Sequence, residues 1–315
     1  MISLIIQRLG LSLVTVFVVT LIAFSLVRIV PGDPAVALLG ESYTEEQAAV
    51  IHEQLGLDRP FAEQYATWLW GLVQGDLGTS MLPNREPVGD QVLRRVEPTL
   101  LLMLGALVFA VVLGIPVGVL AAVRQNSTAD YVLRSVTILG LAVPGFYIAT
   151  QVLGILAFQW GWNPPIGWQG IRENPLGVVE RLWMPALILS LATGAQLMRM
   201  SRAMMLEVMR QDYVRTAWAK GLRERRIILR HALQNALLPV ITILGLSMAF
   251  LVGGTVIFES IFGLPGMGTY TINSVMTRDY TAVQGATVVF AIAVVFVNLI
   301  VDISYMLLDP RIRQG

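Results

Sequence analysis

The chain has 315 residues, 55% of them hydrophobic and only 14% charged, with a formal net charge of +1 and no cysteine. Soluble domains carry about 25% charged residues, so this composition points to an integral membrane protein. Without cysteine there is no disulfide, thiolate nucleophile or Cys-ligated metal.

The first apolar run, Leu9–Val27, follows Arg8 and precedes Ala35-Val36-Ala37, which imitates a cleavage site. It is longer than the roughly 7–15 residues of a signal-peptide core. It therefore reads as a retained first span. Five further runs have cores at Thr99–Val123, Ser135–Gln159, Leu182–Met198, Ala236–Phe258 and Ala282–Leu308. At about 1.5 Å per residue, each can cross a hydrocarbon layer of about 30 Å. The expectation is an all-α integral membrane protein with six transmembrane helices and both termini on one side.

Lysine and arginine decide the side. Fourteen lie with the termini and the 199–235 loop, nine of them between Arg199 and Arg230, against eight on the opposite side. That bias puts the termini and the loop in the cytoplasm. Placed in the bilayer, the loop's charged side chains would each cost about 2.5–3.5 kcal/mol near the midplane.

The chain divides into residues 1–98, holding the first span and a helical extracytoplasmic region, and residues 99–315, holding five spans and the basic loop. The outer region, from Pro31 to Pro98, has eleven acidic and four basic residues. Thr44–Gly56 reads as a helix capped by Thr44 and ended by Gly56. A second helix follows with Phe61, Tyr65, Trp68, Leu69 and Leu72 on one face. This region reads either as a cap resting on the membrane or as a docking surface for an external partner.

Within the spans, Gly114–Gly118 and Val143-Pro144-Gly145 predict kinks and close helix approach. Gln151, Gln196, Asn298 and Asp302 are isolated polar residues there. Asp302 is a functional candidate or a capped helix-end carboxylate. No chain of buried carboxylates or histidines suggests proton coupling. The apolar, turn-rich segment Gly253–Tyr280 contains Glu259, Phe262, Pro265, Gly266 and Met267. It reads either as a loop folded back near the mouth of a pathway, with Glu259 at the rim, or as an interfacial loop.

The single lysine, Lys220, stands in Ala-Lys-Gly, so there is no P-loop. Two histidines, His52 and His231, fall on opposite sides of the membrane, which excludes paired-histidine zinc sites and histidine relays. No catalytic residue, metal site or cofactor is expected.

The segment DYVRTAWAKGLRERRIILRHALQNALLP, residues 212–239, holds much of the basic charge. A helix can start near Asp212 and pass through Val214, Ala217 and Trp218. Gly221 then breaks it, and a second helix runs from about Arg223 to Leu237, ending before Pro239. The order T-A-x-A-K-G-L, then R-H-A-L-x-N-A-L-L-P, resembles the cytoplasmic signature of binding-protein-dependent ABC importer permeases of the peptide subfamily. The match continues in P-G-D-P (Pro31–Pro34), L-G-L-D-R-P (Leu55–Pro60), G-D-L-G-x-S (Gly75–Ser80) and I-P-V-G-V-L-A-A (Ile115–Ala122). It also covers I-F-x-x-P-G-x-G (Ile261–Gly268), R-D-Y-x-x-V-Q-G (Arg278–Gly285) and the closing V-D-x-x-Y with D-P-R-I-R.

This resemblance implies a bacterial inner-membrane permease for di- or oligopeptides, paired with a second permease chain. It also implies two cytoplasmic ATPase subunits that consume the ATP and an extracytoplasmic solute-binding protein; membrane lipid surrounds the chain and no nucleic acid is involved. The coupling-helix positions are Asp212, Arg215, Thr216, Ala217, Lys220, Gly221 and Leu222, and the gate candidates are Glu259, Phe262, Pro265, Gly266 and Met267. Arg215-Thr216-Ala217 stand where the general signature has Glu-Ala-Ala, and Leu238-Pro239 comes late; both are usual in the peptide subfamily. Alternatives are a nickel-chelate or glutathione cargo, or a stand-alone secondary transporter.

Overall fold

In the computed structural model, the described residues are 2–29, 44–46, 49, 52 and 58–308. The Pro31–Pro34 motif, most of the Thr44–Gly56 helix, Leu55–Leu57 and the closing D-P-R-I-R lie outside them, as does the side chain of Asp302.

The helices are α1 (Ile2–Ile29), α2 (Phe61–Val73), α3 (Val88–Val123), α4 (Thr128–Ala142), α5 (Gly145–Trp160), α6 (Pro175–Val208), α7 (Asp212–Ala219), α8 (Leu233–Phe262), α9 (Met267–Met276) and α10 (Tyr280–Leu308). A single turn, Glu224–Arg226, and a π-helix, Ile227–Ala232, lead into α8. Among the described residues, β-type pairing is confined to one bridge, Thr79 to Pro87.

Five unbroken stretches are long and apolar enough to cross a membrane: Ile6–Ser25, Val88–Val123, Pro175–Val208, Glu224–Met248 and Tyr280–Ile300. Two helix pairs interrupted by a break pass the same test, which makes up to seven spans where the apolar runs of the sequence number six. The third run, Ser135–Gln159, is one of these pairs. It breaks into α4 and α5 with a 97° bend. Val143 is extended (φ −93°, ψ 123°), because the ring of Pro144 disfavours helical backbone in the residue before it.

Two compact units organise the chain: Ile2–Thr99 with Pro265–Phe296, and Leu100–Leu264 with the stretch from Val297. In the first, the aromatic face of α2 packs on α1. The rings of Phe61, Tyr65 and Trp68 lie 5.4, 5.3 and 5.2 Å from that of Phe24, and the Tyr65 hydroxyl is 3.0 Å from Thr20 Oγ1. The loop from Gly75 to Pro87 packs against α10. Gly78 has φ +82°, and a Cβ there would meet Thr281 Cγ2 at 2.6 Å. Val88, Val92, Met267, Ala282 and Ala286 form the core beneath.

In the second unit, α6 packs against α3, α4, α5 and α8. A Cβ on Gly114 would lie 2.5 Å from the Gly194 carbonyl oxygen, and one on Gly118 2.5 Å from that of Met198. The close helix approach expected from this glycine pair is therefore present. Leu102, Ala149, Leu182, Ile188 and Phe258 belong to the main apolar core.

Candidate functional site

The basic segment forms a closed elbow. Val214 and Ala217, three residues apart and on one face of α7, are buried with Ile227. Asp212, Arg215, Thr216 and Lys220 are exposed, as is Trp218. Arg215 and Asp212 form an ion pair at 3.5 Å, and Thr216 Oγ1 donates to the Asp212 carbonyl. The Lys-Gly-Leu sequence is a helix terminator. Gly221, at φ +74°, donates its N–H to Trp218 O, and Leu222 donates to Ala217 O. This double bond with a left-handed glycine is the Schellman closure, and Leu222 supplies its apolar contact by packing on the Val214–Ala217–Ile227 cluster.

Beyond the elbow, the structure corrects one expectation. The second helix does not end before Pro239; after the π-helical turn it continues as α8 with Pro239 inside it. Proline removes the bond to the carbonyl four residues earlier and crowds that carbonyl with its ring, a cost that membrane helices tolerate. Tyr213 ties the elbow to this helix, because Asn235 Nδ2 donates to its hydroxyl at 2.9 Å.

The gate candidates fall into different surroundings. Glu259 is 0% exposed, inside α8, so it does not stand at a rim. Phe262 is buried and stacks on Phe258 at 6.3 Å. Gly263, at φ +61°, ends α8, and the Leu264 N–H returns to Glu259 O. In the other unit, the Gly266 carbonyl accepts from Thr269 Oγ1, and the buried Met267 donates its N–H to Thr99 Oγ1 at 2.8 Å. The turn-rich segment is thus a helix end and a helix start separated by Gly263-Leu264-Pro265-Gly266, a broken span or a re-entrant loop. Of the isolated polar residues, Gln196 accepts a long hydrogen bond from Ser247, whereas Gln151 and Asn298 are exposed.

Two arrangements had no counterpart in the sequence reading. Asp130, fully buried, accepts from Arg202 Nε and Nη2, both at 2.8 Å, and from the Asn126 N–H. Its signal was local: Ser127 caps α4 and Asp130 stands at the third helical position. The other is Arg181, buried in α6, which donates to Gly263 O at 2.9 Å. Among the described residues, no group of three or more His, Asp or Glu is placed to hold a metal ion.

Residues 114–314 match the family described as binding-protein-dependent transport system inner membrane component, and residues 1–103 match its N-terminal family. The chain belongs to this family. It is similar along its length to the dipeptide transport system permease protein DppB of Escherichia coli (strain K12), at 37% identity over all of this chain and 99% of that one. It is 39% identical to the oligopeptide transport system permease protein AppB of Bacillus subtilis (strain 168), over 98% of each. The fold also matches a chain of the MetNI methionine ABC transporter in an inward-facing conformation. That match has a TM-score of 0.57 at 17% identity and covers 69% of this chain and 96% of that one. The chain is a multi-pass permease component of an ABC importer, a transport subunit rather than a catalytic one. Membership brings with it an ATPase and a substrate-binding partner.

Proposed function

We propose that the chain conducts di- or oligopeptides across a bacterial inner membrane, with both termini and the elbow in the cytoplasm. A second, similar permease chain completes the pathway, two ATPase subunits consume the ATP, and an external binding protein delivers the peptide. The chain needs no cofactor of its own. The peptide cargo is supported by the full-length similarity to DppB and AppB.

One observation carries the coupling role: an exposed helix, closed at Gly221, is tied to α8 by the Tyr213–Asn235 bond and to the π-helix before it by the Val214–Ala217–Ile227 cluster. A transporter without a nucleotide site must receive its conformational bias through contacts, by several kcal/mol for a near-complete switch. Asp212, Arg215, Thr216 and Lys220 offer the contact surface, Ala217 and Leu222 anchor it, and Gly221 sets its angle. For Glu259, Phe262, Pro265, Gly266 and Met267, a gate role rests on the family resemblance alone.

Co-purification after mild solubilisation tests this reading. An ATPase and a second permease chain are expected with the protein. Transport by the protein alone, reconstituted without either, would overturn it.

A further inference from the structure

Arg181 lies in the first turns of α6 and is 8% exposed. Its Nη2 donates to Gly263 O at 2.9 Å, but Nε and Nη1 are buried without a hydrogen-bond partner. Those two nitrogens carry three of the five N–H groups of the guanidinium. Among the described residues no carboxylate pairs with Arg181; its neighbour Glu180 is exposed. A buried guanidinium without an anion is costly, and in a membrane-spanning chain such residues mark pathways or partner sites.

The surroundings say which. Arg181 borders a cavity of about 550 Å³ whose walls include Leu153, Ala157, Asn163, Ile261 and Phe262. It also borders a second cavity of about 430 Å³. Pro165, Ile166 and Gly167 belong to the walls of both. The larger volume falls in the range of small-ligand sites, roughly 300–1,000 Å³, and pairs apolar walls with one amide and one cation.

We propose that Arg181 receives the C-terminal carboxylate of the transported peptide. The proposal rests on the peptide reading of the cargo and adds to it a recognition point within the permease itself. The Gly263 carbonyl takes one N–H of Nη2; the other N–H of Nη2, with a neighbouring N–H of Nη1 or Nε, forms a two-pronged edge for the carboxylate oxygens, the planar match that arginine makes and lysine does not. The apolar walls suit side chains of varied shape, so the site reads the terminus and tolerates the sequence. Nε and Nη1 are closed to solvent in this structure. A carboxylate binds there only if the groups covering these nitrogens give way.

The test uses the complete importer reconstituted in vesicles. It follows uptake of one dipeptide and of its C-terminal amide, each loaded to saturation on the binding protein. The unmodified importer should move the free acid about tenfold faster than the amide, the factor a charge-assisted pair supplies. Arg181→Gln should bring the acid-to-amide rate ratio down to about one. Arg181→Lys, which keeps the charge and a donor for Gly263, should restore part of the difference. Transport of both peptides without discrimination, or equal slowing of both by Arg181→Gln, overturns the proposal alone. Loss of the second permease chain or the binding protein from Arg181→Gln complexes also overturns it, because the carboxylate would then belong to a partner protein. Transport of neither peptide by the unmodified importer overturns the peptide reading, and the proposal with it.

Discussion

Ser80 Oγ donates to Asp279 Oδ2 at 2.5 Å, across 199 positions of sequence. Oδ1 of the same carboxylate accepts the N–H groups of Met81 and Ala282, at 3.1 Å each. Asp279 thereby caps α10 and holds the turn that ends the G-D-L-G-x-S motif. Two motifs that read as separate family marks are the two halves of one junction. Gly285 belongs to it as well, since a Cβ there would lie 2.7 Å from Val88 Cγ1.

The junction predicts an order of losses. Asp279→Ala leaves three donors unpaired and should cost about 3 kcal/mol or more, whereas Ser80→Ala removes one bond and should cost about 1 kcal/mol. Thermal unfolding in detergent measures both. Equal losses would mean that the two backbone bonds contribute nothing.

The buried Asp130–Arg202 pair makes a different prediction. Arg202→Ala should destabilise by about 3 kcal/mol, because it leaves the buried carboxylate with only the Asn126 N–H and the more distant Arg134, at 3.9 Å. Replacing both residues by leucine should cost much less than that single change. Denaturant midpoints of the two variants settle the order, and a double variant as unstable as Arg202→Ala would contradict it.

Helix contact through glycine can be checked with an internal control. Gly114→Ala drives a methyl group against the Gly194 backbone and should cost about 1–3 kcal/mol. A Cβ on Gly154 meets nothing within 4 Å, so Gly154→Ala should be neutral or stabilise by up to about 1 kcal/mol through helix propensity. Thermal midpoints that fall equally for the two would remove the close α3–α6 contact as the cause.

At the elbow, space and backbone give separate demands. Nothing lies within 4 Å of a Cβ on Gly221, so Gly221→Ala suffers only the left-handed backbone, about 1–2 kcal/mol. Gly221→Pro cannot adopt φ +74° and deletes the N–H given to Trp218 O. The alanine variant should keep ATP hydrolysis coupled to uptake. The proline variant should hydrolyse ATP without transport. Coupled transport at the normal rate in Gly221→Pro would remove the elbow from the mechanism.

The membrane class, the elbow, its glycine break and the aromatic face of α2 were legible because each rests on local spacing or local charge. Long-range pairings were not. Nothing near Ser80 in sequence points to Asp279, and Arg181 read as one more external charge until Gly263 was placed beside it. Glu259 misled for a related reason: a carboxylate beside glycines and a proline suggests a rim, but α8 keeps turning for three residues past it. Pro239 misled in the opposite direction, because a stop signal drawn from soluble helices was applied to a helix that tolerates it.

The exposure of Lys220 gives this chain a practical property. It is the single lysine in a sequence without cysteine. Apart from the terminal amine, an amine-reactive dye therefore marks one place, the outer turn of the elbow. A thiol dye marks only cysteines installed on purpose. Natural composition has already supplied the background for two-colour distance measurements, with one probe fixed where the ATPase is proposed to press and the other free to be moved along the pathway.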